Sequence, residues 1–455
     1  MVGAAVAAWA ALGLPVRATH AARTTADEPE YLMTALSLAE DGSLDVSDER
    51  LERRYRPFHE ALLPVQTLRR PDGTRVSPHD PLLPLVLAAP MKAGGWVAAK
   101  ITMALMAGAL SAVTLWVAVR RFAVPVKTAT VTVLAFGLSA PLAVYGTQIY
   151  PEVPAALVVA AAIGWLAGPL PRWHVAGAVA AVVALPWLAV KYAPVAAVLA
   201  AALLLALRVR RGDGSDRRVA VAAVAALALA ALAYLALHRA WYGGWTAYAA
   251  GDHFVGGELT AVGHDPALLG RSVRLVGLLV DRSFGLAVWQ PLFLVGPVAL
   301  AALARRRPPG WPVLVAVVAA GWLNATFVAL TMHGFWWPGR QTVVVLPAVV
   351  VAVAWWVGSR PRPRWLLPLG LAAGAVNVAF LMVEGAAGRL TWVTDFDTAA
   401  SPLVRAARLV LPDYRRDAAS DWALHVAWSI VVVGLVLMGW RAAGRSERAA
   451  PNVSR

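Results

Sequence analysis

Long apolar runs separated by short charged turns dominate the chain. Runs at or near the roughly 17–25 residues needed to cross a bilayer fall at 2–16, 96–119, 128–145, 152–167, 175–190, 194–207, 219–237, 285–304, 311–332, 342–357, 365–383 and 422–440. In lipid the backbone must satisfy its own hydrogen bonds, which restricts such runs to helices or closed barrel strands. Their unbroken Ala, Val and Leu content lacks the alternation of barrel strands. The pattern predicts an all-α polytopic membrane protein with about twelve transmembrane helices. Segment 2–16 lacks a charged start and a small-residue cleavage site, so it reads as a first, short span rather than a signal peptide.

Three polar segments interrupt the series, at 17–80, 238–282 and 384–421. The first predicts a juxtamembrane amphipathic helix over 29–40, with Tyr31, Leu32, Ala35, Leu36 and Leu38 mainly on one side. Pro29 suits its first turn, Asp27 or Glu28 can cap it, and Gly42 ends it. Such a helix suits the membrane interface plane. Segment 50–56 is densely charged, and Pro71-Asp72-Gly73 marks a turn. The apolar run 82–91 is too short to span and predicts a re-entrant or interfacial helix, ended by Gly94-Gly95. The domain reading is a single transmembrane domain over 1–441 and a basic cytoplasmic tail over 442–455.

Composition agrees. Of 455 residues, 59% are hydrophobic and 15% charged, and the mean hydropathy of +0.63 lies outside the soluble range. The net charge of +15 does not indicate nucleic acid, because the Arg residues cluster in short loops between spans. With twelve spans and a cytoplasmic start, the clusters at Arg120-Arg121, Arg172, 208–218, 305–307 and 360–364 all fall on the cytoplasmic side. The three polar segments, with nearly all Asp and Glu, then lie outside, beside membrane lipids. The absence of Cys excludes thiol catalysis, disulfides and Cys-based metal sites.

Several outward residues suit chemistry. A glycosyl transfer needs a carboxylate to take the acceptor hydroxyl's proton, and it gains from a second acid that orients the nucleophile or holds a divalent cation against a phosphate leaving group. The pair Asp27-Glu28 offers the first role; a helix cap is the competing reading. Glu152 opens the fourth span, at the same membrane depth as Asp27, and is either a second acid of the site or simply the terminus of the span. Lys191 either binds a lipid phosphate or snorkels. His79-Asp80 either contacts substrate or caps the helix that follows. Asp281-Arg282 either forms a surface pair or contacts a phosphate. Arg340, after Trp336-Trp337-Pro338-Gly339, suits bidentate phosphate recognition. A transporter or flippase of lipid-linked sugars is the alternative, but it would place polar residues at the membrane midplane in broken helices. Few mid-span ionisable residues and no internal repeat are present.

The stretch Asp-Glu-Pro-Glu-Tyr-Leu-Met-Thr-Ala-Leu-Ser-Leu-Ala-Glu-Asp-Gly-Ser-Leu-Asp-Val from Asp27 to Val46 resembles the first outer loop of the GT-C superfamily. It is most similar to the bacterial phospholipid-carrier-dependent glycosyltransferases related to protein O-mannosyltransferases and the lipid A aminoarabinose transferase. Ser77-Pro78-His79-Asp80-Pro81, Tyr150-Pro151-Glu152, Leu185-Pro186-Trp187 through Lys191-Tyr192, Asp281-Arg282-Ser283-Phe284 and Pro338-Gly339-Arg340 fit in order. The resemblance implies a polyprenyl-phosphate sugar donor and inverting transfer at the outer face of the bacterial plasma membrane. The acceptor would be an envelope glycan, lipid or protein, and mannosyl or arabinosyl transfer follows by analogy. Asp27 is implied as general base with Glu28 assisting and Glu152 as second acid. Lys191 and Arg340 are implied as phosphate contacts; His79, Asp80, Tyr150, Asp281 and Arg282 complete the expected substrate contacts. A divalent cation (Mg2+ or Mn2+) on Asp27 and Glu152 is the one cofactor expectation. Many relatives carry a soluble C-terminal domain where this chain has only segment 384–421, which leaves the acceptor open.

Overall fold

A computed structural model describes residues 1–209, 214–252, 257–258, 267–360, 362–395, 401–416 and 418–448. Parts of the predicted basic loop 208–218, of the second and third polar segments and of the tail fall outside these residues. The described elements are helices: α1 (Val2–Leu12), α2 (Glu28–Glu40), α3 (Ser47–Leu51), α4 (Leu82–Arg121), α5 (Val126–Gly137), α6 (Leu142–Tyr145), α7 (Glu152–Leu166), α8 (Arg172–Leu188), α9 (Ala193–Val209) and α10 (Gly214–Tyr242). They continue with α11 (Leu268–Ser272), α12 (Arg274–Val280), α13 (Leu286–Trp289), α14 (Val295–Arg306), α15 (Trp311–Leu323), α16 (Leu346–Gly358), α17 (Leu366–Ala386), α18 (Pro402–Arg408) and α19 (Ala419–Arg448). Short 3-10 turns precede α9, α14 and α16. Among the described residues, seven helical stretches are long and apolar enough to cross a membrane, and four shorter apolar helices accompany them. The protein is a multi-pass membrane protein.

Of the twelve expected spans, seven coincide with the long stretches, and 2–16, 128–145, 152–167 and 175–190 fall on the four shorter helices. The exception is 285–304, which is three pieces: α13, a 3-10 turn over Pro291–Leu294, and α14. Pro291 offers no N–H and breaks the ladder. The freed backbone groups cannot turn to water, so side chains satisfy them. The Gln290 side chain accepts from Leu292 N at 3.2 Å and donates to Ala135 O and Gly370 O at 2.8 and 3.0 Å. Asn377 of α17 donates to Trp289 O at 3.2 Å.

The expected short helix at 82–91 joins the next span in α4, and the junction is non-helical at Gly94 and Gly95. Gly95 has φ +63° and ψ −157°, a region open to glycine and strained for other residues. The expected span 128–145 likewise divides, into α5 and α6.

The bundle has two chemically different ends. At one, Arg121 donates to Gly164 O near the end of α7 at 2.6 Å, Arg360 donates to Ala442 O at 2.8 Å, and Arg305 lies 5.2 Å from the Trp440 ring. Glu152 opens α7 at the other end, about 22 Å away at 1.5 Å per residue. The basic turns thus gather on the side away from Glu152, in line with the one-sided charge pattern.

Candidate active site

The site is built from four chain segments that meet at the carboxylate end of α7. Gly339 has φ +83°, and a side chain there would meet Leu286 and Pro141. Only glycine suits this turn, which aims Arg340 inward at the start of a 3-10 turn over Arg340–Val345. Arg340 Nη2 donates to Asp27 Oδ2 at 2.6 Å, and its Nε donates to Glu152 Oε1 at 2.8 Å. Lys191 Nζ donates to the same Glu152 oxygen at 2.6 Å. The guanidinium sits over the Tyr150 ring at 4.3 Å and the Trp336 ring at 5.1 Å, a geometry in which cation–π attraction supports it. Tyr150 is held in turn by a bond from its hydroxyl to Thr25 O at 3.2 Å. Asp27, Glu152, Lys191, Arg340 and Tyr150 therefore converge, although up to 313 residues separate them in sequence.

The two acids of the Asp-Glu pair part company. Asp27 precedes α2, and its side chain makes no cap bond; the cap expected of it is made by its backbone, whose carbonyl accepts from Tyr31 N at 3.2 Å. Burial acts to raise the Asp27 carboxyl, but the Arg340 guanidinium, aided by His79 and Lys191, outweighs it and holds the group well below the usual carboxylate range. Glu28 is fully buried. Its Oε2 accepts from Thr25 N at 3.0 Å and its Oε1 from Ile149 N at 2.9 Å. Burial pushes its carboxyl up, against Lys100 and these two N–H groups. Glu28 thus ties the start of α2 to the 146–151 connection and does not line the cavity that Asp27 faces.

His79 Nε2 lies 4.0 Å from Asp27 Oδ1, and its ring stacks on Tyr31 at 4.6 Å. Asp80 is engaged on both oxygens. Oδ1 meets Tyr234 Oη at 3.0 Å and His238 Nε2 at 2.9 Å, and Oδ2 accepts from Val190 N at 2.9 Å. The bond to Val190 fixes the turn that carries Lys191. His238 is stacked between Tyr234 and Tyr242, at 3.7 and 5.1 Å.

Asp281 and Arg282 do not join this group. Asp281 is buried, not part of a surface pair, and its carboxylate accepts from the N–H groups of Ser283, Phe284 and Tyr414. Arg282 N donates to Pro412 O at 2.8 Å. Both shape the turn before α13. The sequence reading also missed Tyr248, Glu258 and Asn324, which line the cavity. Asn324 was the readable one, since an amide within an apolar span signals a bond inside the bundle; it donates to Lys191 O at 3.0 Å.

The cavity itself holds about 410 Å3, with Asp27, His79, Asp80, Lys191 and Arg340 in its wall. Its two cations pair with two carboxylates, Asp27 in the wall and the buried Glu152 behind it. A divalent cation bridging Asp27 and Glu152 does not fit these contacts, because Arg340 stands between the two acids and Lys191 occupies the same Glu152 oxygen. The arrangement suits an anion held by Lys191 and Arg340 beside a carboxylate. A larger apolar groove of about 820 Å3 runs nearby, past Leu38, Leu82, Leu85, Val183, Trp187 and Trp241.

The structure resembles the crystal structure of ArnT from Cupriavidus metallidurans bound to undecaprenyl phosphate, with a TM-score of 0.55 and 16% identity. The match covers 98% of this chain and 77% of that one. The chain has a GT-C fold. No family model and no curated protein sequence matches it.

Proposed function

We propose that the protein is an inverting glycosyltransferase that moves a sugar from a polyprenyl-phosphate donor to an envelope glycan, lipid or protein, at the outer face of a bacterial inner membrane. The observation that carries this reading is the placement of Asp27, Lys191 and Arg340 in one cavity wall. Lys191 and Arg340 bind the donor phosphate, the latter with a planar fork suited to its oxygens. Asp27 takes the proton of the acceptor hydroxyl as its oxygen attacks the anomeric carbon. The bond from that carbon to the phosphate oxygen breaks, and the phosphate leaves with the electron pair, stabilised by the two cations. The carrier is suggested by the ligand in the ArnT structure, and the apolar groove offers its chain a path. Transport without transfer is less well supported, since Gln290 and Asn377, two polar residues inside the bundle, are occupied with backbone groups.

The test is Asp27→Asn in purified protein, assayed with a panel of polyprenyl-phosphate sugars. Transfer is expected to fall about 10²–10⁴-fold, the usual contribution of a general base, with unchanged membrane insertion. Near-normal transfer by the variant sinks the assignment.

A further inference from the structure

The first polar segment carries a second acidic cluster, at the end of α2 opposite Asp27. Asp41 follows the last turn of α2, and Asp48 and Glu49 lie in the first turn of α3. One carboxylate oxygen of each lies within 4.8 Å of the others. Asp41 and Asp48 are exposed, whereas Glu49 has no exposed surface. Both Glu49 oxygens are buried, and no Arg, Lys or His among the described residues donates to them; burial and the neighbouring Asp48 push its carboxyl up to about 8, so that without an ion it holds a proton against Asp48. A buried carboxylate in that condition needs a counter-charge or a donor.

The nearby guanidiniums do not supply it. Arg50 pairs with Glu30, and Arg54 pairs with Glu40. The C-terminal end of α2 adds the negative end of a helix dipole to the cluster. The donor set is oxygen alone, which selects hard cations over zinc or copper. Oxygens within 4.8 Å of one another lie no more than about 2.8 Å from a common point, so a shift of a few tenths of an ångström brings all three to the roughly 2.3–2.6 Å of a Ca2+–oxygen contact. The two exposed acids leave the outer side of such an ion to water.

We propose that Asp41, Asp48 and Glu49 bind a hard divalent cation of the Ca2+/Mg2+ class, which clamps α3 to the C-terminal end of α2. The 13 residues of α2 put this site about 20 Å from Asp27, so the ion holds the helix and takes no part in transfer. The proposal is independent of the function assigned to the cavity.

The experiment uses the full chain purified in detergent, stripped with EDTA and titrated by calorimetry with CaCl2 and, separately, MgCl2. One saturable site is expected, with Kd on the order of 10⁻⁴–10⁻³ M, and the bound ion raises the unfolding temperature. Asp41→Asn with Asp48→Asn weakens binding by on the order of tenfold or more, as does Glu49→Gln, because each removes a charged ligand. Asp27→Asn leaves binding unchanged. Three results overturn the proposal: no saturable binding of either ion to the wild type, undiminished binding to the Asp41/Asp48 variant, or loss of binding in Asp27→Asn. The wild-type titration is decisive by itself if a variant fails to fold.

Discussion

At the scale of residues, Arg340 is the pivot of the candidate site. It satisfies Asp27 and Glu152 together, and both are acids that the fold buries or half-buries. Removing one partner of a buried ion pair leaves an uncompensated charge and costs about 3–5 kcal/mol. Arg340→Gln is expected to lower the unfolding free energy by about that much at neutral pH, read as a drop in unfolding temperature. The effect has a pH signature. In the wild type, the depressed Asp27 carboxyl contributes stability above its unfolded-state value near about 4, and that contribution is lost only as pH falls through its lower folded value. Without Arg340, the burial effect dominates and Asp27 is easier to protonate in the folded state than in the unfolded one. The gap between the two proteins should therefore narrow as pH drops from 7 toward 4. A gap constant over that range contradicts the role given to Arg340.

At the scale of elements, breaks in helices do as much as helices. The junction in α4 separates a juxtamembrane piece from a span, and Gly95 makes it without meeting any neighbour. Gly95→Ala is therefore expected to cost about 1–3 kcal/mol through backbone strain alone. Gly434→Ala, in the middle of α19 with open space around it, should be neutral or stabilising by about 0.5–1 kcal/mol. Unfolding temperatures of the two purified variants test the contrast. The Gly94-Gly95 break was readable because two glycines interrupt an apolar run. The break at Pro291 was hidden by hydropathy, since the residues around it remain apolar. Its partners Gln290 and Asn377 come from separate parts of the chain, and no local pattern links them. The difference between Asp27 and Glu28 was unreadable for a related reason. Neighbours at a helix start point about 100° apart, and only the tertiary fold decides that Asp27 meets Arg340 while Glu28 meets the N–H of Ile149.

At the scale of the whole molecule, charge sorts the two ends of the bundle, and this was visible in the sequence because arginine clusters recur at every second turn. The convergence of Asp27, Glu152, Lys191 and Arg340 was only suggested by that sorting; their actual contacts need the three-dimensional packing. The absence of Cys makes the orientation open to direct measurement. In intact cells, a membrane-impermeant maleimide should label Asp72→Cys in the first polar segment and leave Arg172→Cys in the basic turn untouched. Labelling of Arg172→Cys but not Asp72→Cys inverts the orientation drawn from the positive-inside rule.

The shared guanidinium also sets an order of events. With two carboxylates already on its two cations, the cavity carries its own counter-ions. On the proposed function, an arriving anion draws on the donors that Arg340 and Lys191 keep beyond these bonds, and so shares both cations with the internal acids. Small anions that offer no further contacts compete poorly against acids tethered in place, whereas an anion on a long apolar chain brings additional binding energy. An acid whose share of the guanidinium falls would gain basicity as the anion binds. If Asp27 is the base, as proposed, a proton acceptor quenched by Arg340 in the resting protein would gain strength only with an anion in the cavity.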